Sequence, residues 1–409
     1  MRQGVPQGGV LSPLLFNLYM SKLPLPPAGI KITSYADDTS IMKSGPTTEP
    51  ICQALNVYLA ELNNFFLERN LHISPAKSSV TLFTTAPQEQ SVKLPIVINN
   101  QAVPTEKNPK ILGLMLDPLL KFGAHSKYLK SRVSKRNNIL KAISGTAWGK
   151  DKETINTTYK AIGKSILNYC APIWTPTLAD IHWKDLQTAQ NAALRTATGC
   201  VNKTDIGHLH TETKNMLVKD HNIMLSKQFH LATKKTDHPN SSLHYSEPTR
   251  HMRNTLSSLF DDDIRHLHDP GGNDSTRHKT GLITIHSEAV KAAIDKTPDN
   301  KVLNAPAPPI NQDEKKLPRR TRTLLAQLRS GYSTLLQSFL SIINPAVHSP
   351  NCPKCNAIPH STDHLFCCPM DPTNLTVHSL WEDPIAAASF LGLQTSLDDN
   401  NGDIPDEPD

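Results

Sequence analysis

Apolar residues recur at helical spacing through much of the chain. Between residues 51 and 69 they fall three or four positions apart, which predicts an amphipathic helix with one face in a core. The same spacing predicts further helices, at residues 127–143, 153–170, 180–198 and 324–340. The periodicity is weaker over residues 201–235, and the last predicted helix is expected to break or bend near Gly331.

Short β-type runs predict hairpins in the first third of the chain. Residues 30–34 and 39–42 flank a Tyr-Ala-Asp-Asp tip, and residues 94–98 and 101–103 flank two asparagines. A type I′ turn at the first tip would need positive φ, which Asp tolerates better than most residues. Gly113, inside another β-type run, predicts a bulge or a close backbone contact. The pattern therefore indicates an α+β chain, with an antiparallel sheet and helices followed by a helical part.

Composition marks residues 236–316 as a different kind of segment. They are polar and rich in His and Pro, in a chain with 32 prolines among 409 residues, and they are interpreted as a partly disordered linker. Acidic residues crowd the last dozen positions, although the whole chain carries a net charge of +6. The basic remainder suits a polyanionic partner, but charge that only maintains solubility explains it equally well.

Adjacent carboxylates at the first hairpin tip are the leading candidate for chemistry. Asp37 and Asp38 can present several oxygens to a hard cation such as Mg²⁺, which is usually bound by one or two carboxylates and substrate phosphates. Paired metals in that arrangement stabilise the attacking and leaving oxygens of nucleotidyl transfer. Alone, however, an Asp-Asp pair is more often a solvated turn.

The segment before this hairpin combines a glycine-rich turn with a predicted helix start. Gly4, Gly8 and Gly9 permit positive φ and close approach of the backbone to a ligand. Ser12 is a good N-cap, and Pro13 suits the first helical position. A stripe that is expected to be buried follows at Leu14, Leu15, Leu18 and Tyr19.

These two segments together resemble the reverse transcriptases of non-LTR retrotransposons. Residues 3–17 are similar to the family's block of Pro-Gln-Gly followed by Leu-Ser-Pro-x-Leu-Phe-Asn, and residues 35–38 to its Tyr-x-Asp-Asp block. The resemblance implies that Asp37 and Asp38 are catalytic Mg²⁺ ligands and that Tyr35 lies beside the primer end. The other residues implied to border template or nucleotide are Gln7, Gly8, Gly9 and Lys77. A solvated turn lysine is the alternative for the last of these.

The same family implies a third metal-binding Asp on an earlier palm strand. No Asp precedes Asp37 in this sequence, and two carboxylates alone leave two divalent cations undercharged. We therefore expect a reverse transcriptase cut off in mid-palm that does not polymerise by itself. A block at residues 110–117 is similar to the family's hairpin at the palm–thumb junction, and the basic helix at 127–143 would suit a thumb that follows the nucleic-acid backbone.

A second cluster of chemistry lies near the C-terminus. Cys352 and Cys355 form a Cys-x₂-Cys pair, with His364, Cys367 and Cys368 further on, which supplies ligands for a closed, tetrahedral Zn²⁺ site. Residues 317–369 resemble the C-terminus of Jockey-type polymerases. That match implies the ligand set Cys352, Cys355, His364 and Cys368, with Cys367 spare and His360 a weaker contender. Four incidental loop thiols are the alternative.

Together these observations predict an RNA-directed DNA polymerase fragment with five segments. They are a partial reverse transcriptase palm at 1–117, a helical thumb and connection at 118–235, the linker at 236–316, a helix with a zinc-knuckle-like module at 317–395, and an acidic tail at 396–409. The resemblance implies an RNA template, a DNA primer and deoxynucleotide triphosphates as partners, in an intracellular ribonucleoprotein, cytoplasmic and nuclear. No membrane is implied, because no apolar run approaches about 20 residues and no signal peptide is recognised. The rival hypothesis is a non-catalytic nucleic-acid-binding remnant with a structural zinc module; a group II intron maturase is disfavoured by the zinc tail.

Overall fold

The structure is a computed structural model that describes residues 4–145, 149–235, 238, 240, 255–267 and 275–393. The acidic tail predicted at residues 396–409 lies outside this part of the chain. The strands are β1 (Ile30–Tyr35), β2 (Asp38–Lys43), β3 (Val97–Ile98), β4 (Gln101–Ala102), β5 (Lys110–Ile111) and β6 (Leu114–Met115).

The helices begin with α1 (Ser12–Met20), α2 (Thr48–Leu67), α3 (Gly123–Ala142), α4 (Lys152–Tyr159), α5 (Ser165–Asn168), α6 (Ala171–Trp174), α7 (Asp180–Thr198) and α8 (Ile206–Thr213). They continue with α9 (Val218–Thr233), α10 (Leu256–Ile264), α11 (Ser275–Asp295), α12 (Arg319–Arg329), α13 (Gln337–Ile343), α14 (Thr362–Cys367), α15 (Ser379–Glu382) and α16 (Pro384–Phe390). The chain divides into two compact units, Met1–His125 and Ser126–Asp409. None of the described helices is both long and apolar enough to cross a bilayer.

The first unit is built from small antiparallel sheets, two of which pack against α2. Its strands form three separate two-stranded pairs, β1–β2, β3–β4 and β5–β6, rather than the single sheet that the pattern predicts. One side of α2 packs Tyr58 and Leu62 against Ile30 of β1. Another side packs Cys52 against the β3–β4 hairpin. The predicted α+β character is confirmed at this level, because mixed helices and small antiparallel sheets are present.

Two hairpins of this unit turn through left-handed residues. Asn99 and Asn100 have φ of 52° and 58°, so both central residues have the positive φ of a type I′ turn. Leu112 and Gly113 have φ of 46° and 85° and link β5 to β6 in the same way. Gly113 is therefore a turn residue, and of the two alternatives predicted for it, a bulge or a close backbone contact, the bulge is wrong.

Helix α1 forms where the Pro13 signal predicts it, but its apolar stripe is not buried. No residue of α1 is buried, and the exposed fractions of Leu14 and Leu18 are 65% and 69%. Helical spacing of apolar residues leads to burial only when another element covers that face. Among the described residues none does, so the prediction that this stripe lies in a core is wrong. Ser12 is also not the N-cap, since its hydroxyl donates to the Pro6 carbonyl at 2.6 Å.

The second unit is helical, and its first core joins α3, α4, α7 and α8. Leu140, Ile155, Leu194 and Leu209 contribute one side chain from each helix, and all four are fully buried. The helices predicted at 127–143, 153–170 and 180–198 are present, with a π turn over Lys160–Lys164 within the second. A 16-residue helix, α9, also forms in the stretch where periodicity was weak.

Helices also occur in the stretch that composition marks as a linker. Within its described part, α10 and α11 pack against α9 around Met224, Leu231, Ile264 and Ile285. A few apolar residues on otherwise polar helices are enough to form this core. The average composition of residues 236–316 does not reveal them, because most of the residues around them are polar. The final part packs α12, α13, α14, α15 and α16 around one core, with a chain reversal at Gly331, which has a φ of 73°. The predicted break in that helix is confirmed.

Candidate functional site

The Tyr-Ala-Asp-Asp segment is the tip of the β1–β2 hairpin. Tyr35 pairs directly with Asp38, so Ala36 and Asp37 are the two turn residues. Only Ala36 has a positive φ, 53°, which is the φ pattern of a type II′ rather than a type I′ turn. The expectation that an Asp would adopt positive φ here is therefore wrong. A hydrogen bond of 3.1 Å between the hydroxyls of Ser34 and Thr39 ties the strands just below the tip.

Side-chain alternation gives this tip two different faces. Ile32 and Ile41 are cross-strand partners that pack towards α2. Tyr35 and Asp38, three positions from them in register, fall on the opposite face. Tyr35, Asp37 and Asp38 are all exposed. The hairpin thus holds two neighbouring carboxylates in the open on a hydrogen-bonded support, where their oxygens are accessible to a cation.

The glycine-rich turn is a compact hydrogen-bonded loop before α1. The Gly9 N–H donates to the Pro6 carbonyl at 3.3 Å, and the Ser12 N–H donates to the Gly9 carbonyl at 3.2 Å. Gly8 has a φ of 85°, and a Cβ at Gly9 would lie 2.7 Å from the Ser12 hydroxyl oxygen. Gln7, Gly8 and Gly9 are exposed. Close packing against Ser12 gives Gly9 a local reason to lack a side chain.

The remaining predicted nucleotide contact, Lys77, ends a 3₁₀ turn over Pro75–Lys77 and is exposed. Among residues 4–145, no hydrogen bond or ion pair joins the glycine turn, Lys77 and the Asp37–Asp38 tip to one another. The structure therefore presents these predicted site residues on one unit without direct contacts between their polar groups.

Four of the predicted metal ligands do come together. The ligand atoms of Cys352, Cys355, His364 and Cys368 all lie within 4.8 Å of one another. The Sγ atoms of Cys352 and Cys368 are 3.9 Å apart, and Cys355 Sγ lies 3.2 Å from His364 Nε2. Two thiolates bound to one Zn²⁺ at about 2.3 Å, at the tetrahedral angle, would be about 3.8 Å apart. Three soft sulfur donors and one imidazole at these distances fit a tetrahedral zinc ion.

Local structure explains how these ligands are presented. Cys352 and Cys355 lie in a tight turn in which the Asn356 N–H donates to the Cys352 carbonyl at 2.9 Å. Burial opposes ionisation of the Cys352 thiol, but the backbone N–H groups of Cys355 and Lys354 outweigh it and lower its pKa to about 6. His364 lies in the first turn of α14, whose N-cap is Ser361. At Cys352, N–H donors of the turn thus favour the thiolate form that metals bind.

The two alternative ligands are placed differently. Cys367 is exposed at the end of α14 and is not part of the four-residue group. His360 is buried, and its Nδ1 accepts a hydrogen bond from the Gln337 N–H at 3.0 Å, so its ring supports α13. The geometry favours the ligand set that contains Cys368.

Helix α3 carries a strong positive charge. Over its 20 residues it contains six Lys or Arg residues and no Asp or Glu: Lys127, Lys130, Arg132, Lys135, Arg136 and Lys141. All of these except Lys130 are exposed, while Leu129, Val133 and Leu140 are buried. Lys130 pairs with Asp185 at 2.6 Å. The helix therefore presents several cations that are available to a polyanion.

The sequence pattern did not predict that arginines of α12 are buried. Arg322 and Arg329 are buried, with exposed fractions of 6% and 0%. Arg319 donates three hydrogen bonds to the carbonyls of Gly145, Thr196 and Ala197. The available signal was that these arginines share a short helix with Leu325 and Leu328, so that burying the apolar side must bury some arginines as well.

Comparison with known proteins assigns the first part of the chain. Residues 1–116 match the family model of reverse transcriptase, the RNA-dependent DNA polymerase. The chain is 30% identical over 217 residues to the probable RNA-directed DNA polymerase from transposon BS of Drosophila melanogaster, covering 49% of this chain and 23% of that protein. It is 28% identical over 260 residues to that from transposon X-element of the same fly, covering 61% and 28%.

A third relative is the RNA-directed DNA polymerase from mobile element jockey of Drosophila funebris, 25% identical over 249 residues, covering 58% of this chain and 26% of that protein. The chain thus spans about a quarter of the length of these curated relatives. Residues 1–116 are thus similar to reverse transcriptases. More specifically, the chain is related to the polymerases of the Jockey, X-element and BS non-LTR transposons, which confirms the predicted resemblance.

Proposed function

We propose that this chain is part of an RNA-directed DNA polymerase of a non-LTR retrotransposon and that Asp37 and Asp38 are its catalytic carboxylates. The observation that carries the proposal is the exposed pair of carboxylates at a hairpin tip inside the segment that matches the reverse transcriptase family. The substrates would be deoxynucleotide triphosphates, added to the 3′ end of a DNA primer on an RNA template.

In this proposal the protein holds the metal ions and orients the primer, the template and the nucleotide, and it performs little covalent chemistry itself. The carboxylates of Asp37 and Asp38 would hold Mg²⁺, which supplies charge stabilisation for the attacking and leaving oxygens of an in-line displacement. Tyr35, on the same face as Asp38, would support the primer end. Gln7, Gly8, Gly9 and Lys77 would border the template base and the incoming nucleotide, where positioning contributes most to the rate.

The C-terminal cluster would have a structural role. We propose that Cys352, Cys355, His364 and Cys368 hold one Zn²⁺. All four positions would be filled by protein ligands, which leaves none for a reacting water and is typical of a structural site. The residues around it form short helices and turns, so metal binding would supply much of their folding free energy.

A second candidate function is nucleic-acid binding without catalysis. Among the described residues, no third acidic, His or Cys side chain joins Asp37 and Asp38 in a group that could hold a metal. Two carboxylates are a weak cage for two divalent cations. The exposed cations of α3 can contact phosphates without reading sequence, and they would do so whether or not the carboxylates catalyse.

Primer extension on an RNA template with Mg²⁺, measured beside filter binding of the same template–primer, separates the two functions. We compare the chain with an Asp37→Ala, Asp38→Ala variant and with Glu106→Ala, which removes an exposed carboxylate elsewhere in the same unit. Extension that the double substitution abolishes and Glu106→Ala preserves supports the polymerase. Binding without extension in all three proteins assigns this chain the second function.

The zinc assignment has its own measurement. The purified chain should contain one equivalent of zinc, and Cys352→Ser should lose it, while Cys367→Ser, a neighbouring exposed thiol, should keep it. A native chain without bound metal refutes the site.

A further inference from the structure

Buried charges join helix α12 to the helical part of the second unit. The group contains three cations and three anions, so its net charge is zero: Lys152, Arg322, Arg329, Glu153, Glu212 and Glu314. Except for Glu153, whose side chain is 43% exposed, every member has a side-chain exposure of 11% or less. The six residues come from α4, α8, α12 and a 3₁₀ turn at Gln312–Lys316.

Arg329 occupies the centre of this group. Its guanidinium donates to Glu212 at 3.1 Å and also to Glu314. Lys152 bonds to the same two carboxylates, at 2.8 Å and 3.0 Å. Glu212 and Glu314 are thus each shared by Arg329 and Lys152, and Arg322 Nε lies 3.7 Å from Glu314 as well. The buried charges are neutralised only when α4, α8, α12 and the 3₁₀ turn are all in place. A buried network with one partner removed costs more than an apolar core would.

Helix α12 also lies between two hydrophobic cores. Leu325 and Leu328 pack in the core that contains Phe366 and Trp381 of the C-terminal helices. Ala326, on the other side, packs in the core of α3, α4, α7 and α8. A displacement of α12 would therefore disturb both cores as well as the ion pairs.

The segment that carries the candidate zinc centre contacts α12 beside Arg329 through Thr362. Thr362, the first residue of α14, donates from its hydroxyl to the Leu328 carbonyl at 2.9 Å, and His364 lies two residues further along the same helix. Arg329 in turn donates from Nε to the carbonyl of Leu380 at 2.9 Å. The helix that carries the proposed ligand His364 thus bonds to α12 one residue before Arg329.

We propose that the Arg329 charge group is a metal-linked latch, which docks the zinc-bearing segment on the helical part and makes α4 and α8 depend on zinc for their stability. Zinc fixes α14, α14 fixes the end of α12, and α12 closes the buried charge group. Because coupling between two sites is reciprocal, damage to the charge group must also weaken zinc binding. The inference rests on the proposed zinc site.

Hydrogen–deuterium exchange of the full chain, with zinc bound and after removal by EDTA, tests the latch. We expect exchange in α8 (Ile206–Thr213) and α4 (Lys152–Tyr159) to accelerate at least tenfold without zinc. Helix α2, in the other unit, should not change. Acceleration confined to residues 337–368 would overturn the latch.

Zinc affinity, measured by chelator competition, tests the reverse direction. Glu212→Gln keeps the side-chain shape but leaves two buried cations undercompensated, and it should raise the Kd for zinc about tenfold. Asp185→Asn makes the same chemical change at the half-buried pair with Lys130 and should stay within twofold of the native chain. Equal affinities in all three proteins contradict the coupling, and if Glu212→Gln does not fold, the exchange experiment on the native chain decides. A native chain that binds no zinc refutes the metal site itself, whereas bound zinc with a purely local response refutes only the latch.

Discussion

The Asp117 side chain stabilises the backbone of residues 119–122 by hydrogen bonds. Its place in the block at residues 110–117 does not predict this role. One carboxylate oxygen accepts hydrogen bonds from the N–H groups of Leu119 and Lys121, at 3.2 and 3.1 Å, and the other accepts from Phe122 at 2.5 Å. Leu120 and Phe122 have φ of 50° and 57°, which costs a residue with a Cβ roughly 1–2 kcal/mol. The carboxylate thus holds two unfavourable residues in place directly after the β5–β6 hairpin.

Asp117→Ala should destabilise this region by about 3 kcal/mol. A hydrogen bond to a charged group contributes about 1.5–3 kcal/mol, and its loss counts fully only where water cannot replace it. Water can reach the N–H of Lys121, which is exposed, but Phe122 is 4% exposed. The expected loss of stability is therefore the full contribution of the hydrogen bond to Phe122, plus part of the free-energy cost of the positive φ at Leu120 and Phe122, which the carboxylate no longer offsets.

Hydrogen exchange of the β5–β6 amides is the appropriate assay, since a loss of about 3 kcal/mol multiplies the population of the open state by about a hundredfold. Glu106→Gln, an exposed carboxylate in the same unit, is the control and should exchange like the native chain. Exchange of Asp117→Ala within threefold of the native rate would refute the reasoning.

Two further predictions concern stability. Burial lowers the pKa of His125, whose Nδ1 accepts from the Met115 N–H, to about 4, so the unfolded chain binds a proton first as the pH falls. Stability should therefore decline from about pH 6.5 towards pH 4, and His125→Asn should flatten that decline in thermal unfolding curves; an unchanged slope contradicts it. Gly199 ends α7 with a φ of 73°, and a Cβ there would lie 2.4 Å from Thr323 Cγ2. Gly199→Ala should cost at least about 1 kcal/mol in urea denaturation, and Thr323→Ala should restore part of it; equal midpoints would contradict the clash.

Local signals predicted local structure well. Residue preferences and periodicity act over a few positions. They predicted the hairpin at Asn99-Asn100, the break at Gly331 and helix α2. The spacing of the cysteines and histidine predicted a metal site near the C-terminus, and the resemblance to Jockey-type polymerases implied the set Cys352, Cys355, His364 and Cys368, which the structure groups together.

Predictions that depended on a partner surface failed more often. The apolar residues of α1 have the spacing of a core helix, yet Leu14 and Leu18 are exposed because no described element covers them. The turn at Ala36 shows the same limit on a smaller scale. Preferences favoured positive φ for an Asp, but in the structure Ala36 has it and Asp37 does not.

By itself the sequence determined the periodic helices and the positions of the hairpin tips, since each depends on residues close together in the chain. Only the tertiary structure decided which charges are buried. Arg329 and Glu212 are 117 positions apart, and nothing near either predicts that the other will neutralise it. Burial of a charge is favourable only when a distant partner arrives in the right geometry, and that depends on how the helices pack.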